Sequence, residues 1–180
     1  TSRTESNSNS PCTNIRIPIT FMDSTFNRYD AMIIDNGTRE EHNFSLPFTP
    51  IAAFLDFDEE FFDLTTDSYK FISEPGNYEF KNSYFKANVN SCQDSILIRP
   101  TLHWVGENQE QLPEGVNRFS QKHYWTIEGI NLENADIDAK FYFKISFSER
   151  DFDNSLLAEY SAKDSLMLFY REDITKPWYR

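Results

Sequence analysis

Glycine is scarce. Five in 180 residues leave little room for the loops that cradle phosphates, and neither a P-loop nor a G-x-G-x-x-G stretch occurs. Positive charge is short as well: 17 Lys and Arg stand against 29 Asp and Glu, a formal net charge of −12. A nucleic-acid partner needs a basic stripe to displace counterions, so that class is excluded. An anionic membrane surface is disfavoured on the same ground. No apolar run approaches the roughly 18 residues of a membrane helix, so no direct membrane insertion is expected. No signal peptide is expected either, because Thr1 to Ser10 is polar and rich in Ser and Asn and reads as a solvated tail or linker.

Residues for chemistry are equally few. The histidines are His42, His103 and His123; none forms an H-E-x-x-H pair, and the cysteines lack zinc-finger spacing. His42 and His103 fall at expected strand positions, where a packed or solvent-facing imidazole is the plain reading. His123 lies where a loop enters a strand. No G-x-S-x-G elbow is present. Carboxylates abound, as in Asp56-Phe57-Asp58-Glu59-Glu60, but a glycosidase needs two of them set about 5 to 10 Å apart across a cleft, and abundance does not supply that. Asp151, Asp153 and Ser155 match the opening of an EF-hand-like loop, yet Leu156 replaces its glycine and Ala162 its glutamate. Only a looser oxygen-ligand site at Asp151, Asp153 or Asn154 would remain, against an acidic solvated turn. The chain is therefore read as no enzyme, with no cofactor, metal or catalytic residue.

Two cysteines, Cys12 and Cys92, stand 80 residues apart. A bridge between them would contribute about 4 kcal/mol in the chain-entropy model. Two unrelated buried thiols are the alternative. Cys12 ends a polar tail, which favours the bridge and an oxidising compartment.

What the chain has in quantity is aromatic surface, with 17 Phe, 9 Tyr and 3 Trp, and a period of two. Ile15, Ile17, Ile19 and Phe21 alternate with Arg16, Pro18 and Thr20, which predicts a half-buried strand that Pro18 pushes to a sheet edge. Ala31 to Ile34, the turn Asp35-Asn36-Gly37 and the alternating Phe44, Leu46 and Phe48 predict a hairpin. Ala53, Leu55 and Phe57 form another alternating set, and Tyr69 to Ile72 one more short strand. Glu74-Pro75-Gly76-Asn77 is a turn and the best boundary. Beyond it, Ile96, Ile98, Leu102 and Trp104 share a face of a run interrupted by Pro100. Tyr124 to Ile130 follows a polar loop from Gly106 to Ser120. The clearest alternation is Ile137, Ala139, Phe141, Phe143, Ile145 and Phe147, and Leu166 to Tyr170 closes the series. Asp153 to Tyr160 would make two helical turns at most.

Short strands between turns predict an all-β fold. After a polar tail at 1–13, two tandem Ig-like antiparallel sandwiches are expected at 14–74 and 75–180, with one larger sandwich as the alternative. Sugar-binding sandwiches expose aromatic platforms, and Trp104, Trp125, Trp178 and Tyr124 are the candidates. Trp104 and Trp125 lie on apolar strand faces, where core packing is the plainer reading.

Two stretches carry a likeness. His123 to Gly129 (His-Tyr-Trp-Thr-Ile-Glu-Gly) resembles an R-Y-W-x-[IV]-[DE]-G strand, and Asp164 to Trp178 resembles a D-S-L-x-L-x-Y-R element ending in Trp. Both resemble the β-rich region behind the catalytic domains of secreted zinc aminopeptidases from Bacteroidota. Asp94 to Arg99 with His103-Trp104-Val105 fits that region's central strand, and Phe44 to Leu64 is similar to the β-sandwich domain of those enzymes. The zinc and G-A-M-E-N motifs of the family are absent, so no catalytic residue carries over. The resemblance implies a non-catalytic module attached to a peptidase or to a secretion and sorting signal. The D-[ST] acceptor pattern for O-glycosylation occurs at Asp23-Ser24-Thr25, Asp94-Ser95-Ile96 and Asp164-Ser165-Leu166; Ser24, in a turn, is the candidate acceptor.

The expected function is an extracellular or cell-surface accessory module, outer-membrane associated or part of a larger secreted assembly, bound to a protein partner or parent polypeptide. A carbohydrate-binding module with an aromatic platform is the alternative.

Overall fold

The alternating isoleucines of residues 15–21 form the strand they predict, β1 (Ile15–Met22), and Asp23 turns the chain back into β2 (Arg28–Asp35). The Asp23 carboxylate accepts hydrogen bonds from the backbone N–H of Thr25 (2.8 Å) and of Asn27 (2.9 Å), an Asx turn. The computed structural model describes residues 13–37, 41–60, 63–107, 112–143 and 166–180. Among these, every sheet is antiparallel and the one helical element is a short 3-10 turn, Leu132–Asn134. The class is all-β.

β3 (Ala52–Leu55) joins the far side of β1, giving the order β2-β1-β3. The middle sheet is built on β8 (Ile96–His103), with β9 (Tyr124–Ile130) on one edge and β4 (Thr65–Asp67) and β5 (Lys70–Ile72) on the other. The third sheet has the order β10-β7-β6, from β6 (Gly76–Phe80), β7 (Phe85–Cys92) and β10 (Ala135–Phe141).

β8 explains how the sheets stack. Side chains alternate sides along a strand, and every residue from Ile96 to Leu102 is buried. Ile96 and Ile98 pack with Ile72, Phe80, Phe85, Ala87 and Val89, joining the middle sheet to the β7 sheet. Leu97 faces the other way, into Met22, Phe54, Phe57 and Ile130, joining it to the β1 sheet. A strand with a core on each side is the centre of the molecule.

This arrangement does not respect the expected boundary at residues 74 and 75. β4 and β5 precede that point and pair with β8, which follows it; Met22, Phe54 and Phe57 share a core with Leu97 and Ile130. The Glu74-Pro75 turn is a crossing from one sheet to the next, because β6 starts at Gly76.

Both prolines behave differently from expectation. Pro18 lies in a central strand, not at an edge. Its carbonyl accepts from the Asp56 N–H at 2.9 Å, on the side away from β2. Because the N–H and C=O of one strand residue point the same way, the donor that proline lacks is missing just past the end of β3, and the β2 ladder stays whole. Pro100 does not interrupt β8; the strand opposite it breaks instead. The pairs Thr65↔His103 and Lys70↔Ile98 share one register, which sets Ser68 opposite Pro100, and the gap between β4 and β5 falls there.

Other expectations need correction. The Asp35-Asn36-Gly37 turn forms, with Gly37 at φ 75° and its N–H donated to Asp35, but Phe44, Leu46 and Phe48 form no strand. Pro47 and Pro50 remove ladder donors there, and Phe44 packs its ring against Phe21 at 4.9 Å instead. β4, β6 and β7 lie where no strand is expected. Tyr124 to Ile130 is a strand over the expected bounds. β10 begins at Ala135, and positions 144–147 of the expected strand lie outside the described residues. Leu166 to Phe169 is irregular, and Tyr170 makes one bridge to Tyr179.

Candidate functional site

The three tryptophans do not form a common platform. Trp104 and Trp125 are half-buried and clamp the β6–β7 turn. Trp104 Nε1 donates to Thr66 Oγ1 (3.0 Å), whose own hydroxyl donates to the Asn82 carbonyl; Trp125 Nε1 donates to the Ser83 carbonyl at 2.7 Å. Trp178 is elsewhere, under the Arg171 guanidinium (4.3 Å) and against Phe119. Tyr124 stacks on His103 with ring centroids 4.3 Å apart.

His103 Nε2 lies 2.9 Å from Thr126 Oγ1, and burial holds its pKa below the ordinary histidine value. His123 is buried beside Trp125 and is lowered for the same reason. His42, expected in a strand, is exposed in the irregular segment 41–50. Ser24 is exposed in the β1–β2 turn, its carbonyl held by Asn131 Nδ2 at 3.1 Å. Cys92 is a free thiol packed against the Ile96 core; Cys12 lies outside the described residues, as do Asp151, Asp153, Asn154 and Ser155. Among the described residues no group of three or more His, Cys, Asp and Glu side chains is placed to hold a metal, and no helix is long and apolar enough to cross a membrane.

The residue missed by sequence reading is Arg99. It is 5% exposed, pairs with Asp67 of β4 and donates to the carbonyls of Leu55 and Asp56 at 3.0–3.1 Å. Its guanidinium also lies over the rings of Phe54 and Phe57. Burial pushes Asp67 up to about 6 against the opposing pull of Arg99, and Glu59, which accepts the Asp67 N–H at 2.5 Å, pushes the same way. A carboxyl titrating near neutrality suits proton transfer. Here it is 2% exposed and tied to Arg99, so the cluster bonds the middle sheet to the end of β3. No pattern of spacing marked Arg99, because a lone arginine in an apolar strand is found only from what surrounds it.

Two surfaces remain. β2 pairs with β1 alone among the described residues. Its outer edge carries Met32 and Ile34, 48% and 43% exposed, on the same face as Pro18. On the β7 sheet, the outward rows Asn77–Asn88–Asp138 and Glu79–Lys86–Lys140 cross all three strands. All of these residues except Asp138 line a cleft of about 320 Å³, and Glu79 and Lys86 also line an adjoining one of about 380 Å³.

No protein-family model, no curated protein and no solved structure matches the chain. What its fold defines is a class, an all-β protein with three antiparallel sheets among the described residues.

Proposed function

We propose that this is a non-catalytic accessory or interaction module, extracellular or at the cell surface, that takes an extended segment of a protein partner or parent polypeptide along the edge of β2. The observation that carries this is the edge itself. Among the described residues β2 is an eight-residue edge strand whose alternate residues Arg28, Asp30, Met32 and Ile34 turn their backbone N–H and C=O away from β1, with the apolar side chains of Met32 and Ile34 beside them. Natural sheets blunt such edges with charge, proline or cover; here the charges Arg28, Asp30 and Asp35 sit towards the ends and the middle reads Ala-Met-Ile-Ile. An added strand would gain main-chain hydrogen bonds for affinity and side-chain pockets for specificity. The resemblance at His123–Gly129 and Asp164–Trp178 supports the same reading, since it implies attachment to a larger secreted protein. The enclosed Arg99–Asp67 cluster supports a structural rather than catalytic use of the chain's one deeply buried acid–base pair among the described residues.

The test is capture of the chain from its source, with co-purifying polypeptides identified by mass spectrometry, for the native sequence and for Met32→Lys/Ile34→Lys. A stoichiometric partner lost in the double variant supports the edge. A partner retained by the variant moves the contact elsewhere, and a chain recovered alone overturns the reading.

A further inference from the structure

The β7 sheet carries a second surface of different chemistry. Cross-strand register sets Asn77, Asn88 and Asp138 side by side, with strands about 4.8 Å apart. Asn88 Nδ2 donates to Asn90 Oδ1 (2.7 Å) and Asp138 (3.3 Å), and Asn90 Nδ2 donates to the same Asp138 oxygen (3.1 Å). These bonds fix the amides in place. One row along, Lys86 bonds Glu79 at 3.1 Å and lies over the Tyr142 ring, 5.3 Å from its centroid.

The aromatic half of the surface is equally anchored. The β6–β7 turn, clamped by Trp104 and Trp125, puts Tyr84 in a left-handed conformation (φ 52°), and the Tyr84 carbonyl accepts the Tyr142 N–H at 2.9 Å. Tyr142, 43% exposed, thereby stands in the cleft that holds the amides, and Phe143, 56% exposed, stands in the adjoining one. Glu79, Lys86 and Tyr142 line both clefts and join them.

We propose that this joined cleft binds a neutral oligosaccharide, with Asn77 and Asn88 addressing its hydroxyls, Asp138 holding the Asn88 amide in place from beside the cleft, and Tyr142 and Phe143 packing on its C–H faces. A sugar ring has that division: polar edges that both donate and accept, and flatter apolar faces. Asn77 offers the edges donors and an acceptor, and Asn88, whose two N–H groups are held by Asn90 and Asp138, offers its Oδ1 acceptor; aromatic rings match the faces. Charge decides for a neutral ligand. The chain carries −12 overall, whereas at the amide cleft Lys86 is paired with Glu79 and Lys140 acts on the neighbouring Asp138, which leaves neither sign in excess there; Lys81 lines only the second cleft. The clefts sit at the small end of ligand sites, roughly 300–1,000 Å³, and suit one or two sugar units each. The site shares no residue with the β2 edge and stands or falls independently of it.

The experiment is amide NMR titration of the whole chain with neutral tetra- to hexasaccharides of gluco-, manno-, xylo-, galacto- and chito-type, with a sulfated glycan as the charged control. Saturable shifts for a neutral series, centred on β6, β7, β10 and Tyr142, are expected. Tyr142→Ala and Asn88→Ala should each weaken binding at least tenfold with the spectrum otherwise native, and Met32→Lys should leave it unchanged. Asn77→Ala, on an exposed side chain, serves if either of the first two misfolds. The proposal is overturned if no neutral series gives saturable shifts at millimolar sugar, or if the shifts map to Trp104 and Trp178. It is overturned also if only the sulfated glycan binds, with salt and Lys86→Ala abolishing the interaction and Asn88→Ala not.

Discussion

The two outer sheets have three strands each and lie against opposite sides of β8, yet they treat their surfaces differently. In the β7 sheet, Phe85, Ala87 and Val89 are buried while Lys86 and Asn88 point outward and are part-exposed and Asn90 is exposed, so one face is core and one is wet. In the β1 sheet both faces carry apolar residues. Met22 and Phe54 enter the core, Met32 and Ile34 on the same face run past it, and Ile15, Ile17, Ile19 and Ile33 on the opposite face are half-buried. A sheet with a single buried face frees the other for a polar ligand. A sheet with apolar residues on both faces has more of them than its own contacts cover, and that excess is what a docking strand would use.

The sharpest way to break the comparison is at β8, where the two sides meet. Arg99→Ala leaves Asp67 buried without its partner and should cost about 3–5 kcal/mol, read by chemical denaturation. Next come Leu97→Ala and Ile98→Ala, which hollow out the β1 side and the β7 side respectively. Each should cost about 2–5 kcal/mol and lower one cooperative transition. A variant that melts one sheet and leaves the other folded would show that the two sides are independent.

Charge separates the sides further. The β1 side contains Asp67, whose folded pKa, about 6, lies above its ordinary 3.8. The folded state then holds that proton more tightly, so the stability due to this group is greatest below pH 4 and falls as pH rises to about 6. His103 and His123, held low, act in the opposite sense and lose stability as pH falls below the ordinary histidine range. Subtracting the two profiles isolates the carboxyl. The stability of Asp67→Asn minus that of the native chain should rise by about 1–3 kcal/mol between pH 4 and pH 6.5, and a flat difference would assign the buried charge to another group.

A close approach tests the middle sheet by itself. A Cβ at Gly129 would stand 2.3 Å from the Leu97 carbonyl oxygen and 2.8 Å from Leu132. Gly129→Ala should therefore cost about 1–3 kcal/mol by displacing β9 from β8. The smallest effects belong to the outer surfaces, where Met32→Lys and Tyr142→Ala should each stay within about 0.5 kcal/mol of the native chain while removing their separate binding activities.

How much of this was legible in the sequence depended on the neighbours of each residue. β1 and β9 were readable because Ile15–Phe21 and Tyr124–Ile130 alternate strongly with β-branched and aromatic residues. β7 was not, since alanine and asparagine dilute the alternation of Phe85 and Val89. Phe44, Leu46 and Phe48 alternate well and form no strand, because Pro47 and Pro50 cannot complete a ladder. Of the site residues, the tryptophans were visible by type but not by use, and Asn77, Asn88 and Asp138 were invisible because their meaning comes from register across three strands.

By itself, then, the sequence determined the all-β class, the acidic surface and most of the strand positions, which follow from composition and a period of two. Only the tertiary structure decided that the expected boundary at Pro75 is crossed by the middle sheet, that Pro100 sits in a continuous strand, and that Arg99 is buried. The reason is physical: alternation says which side chains share a face, but which sheet that face meets is set by contacts between residues far apart in the chain.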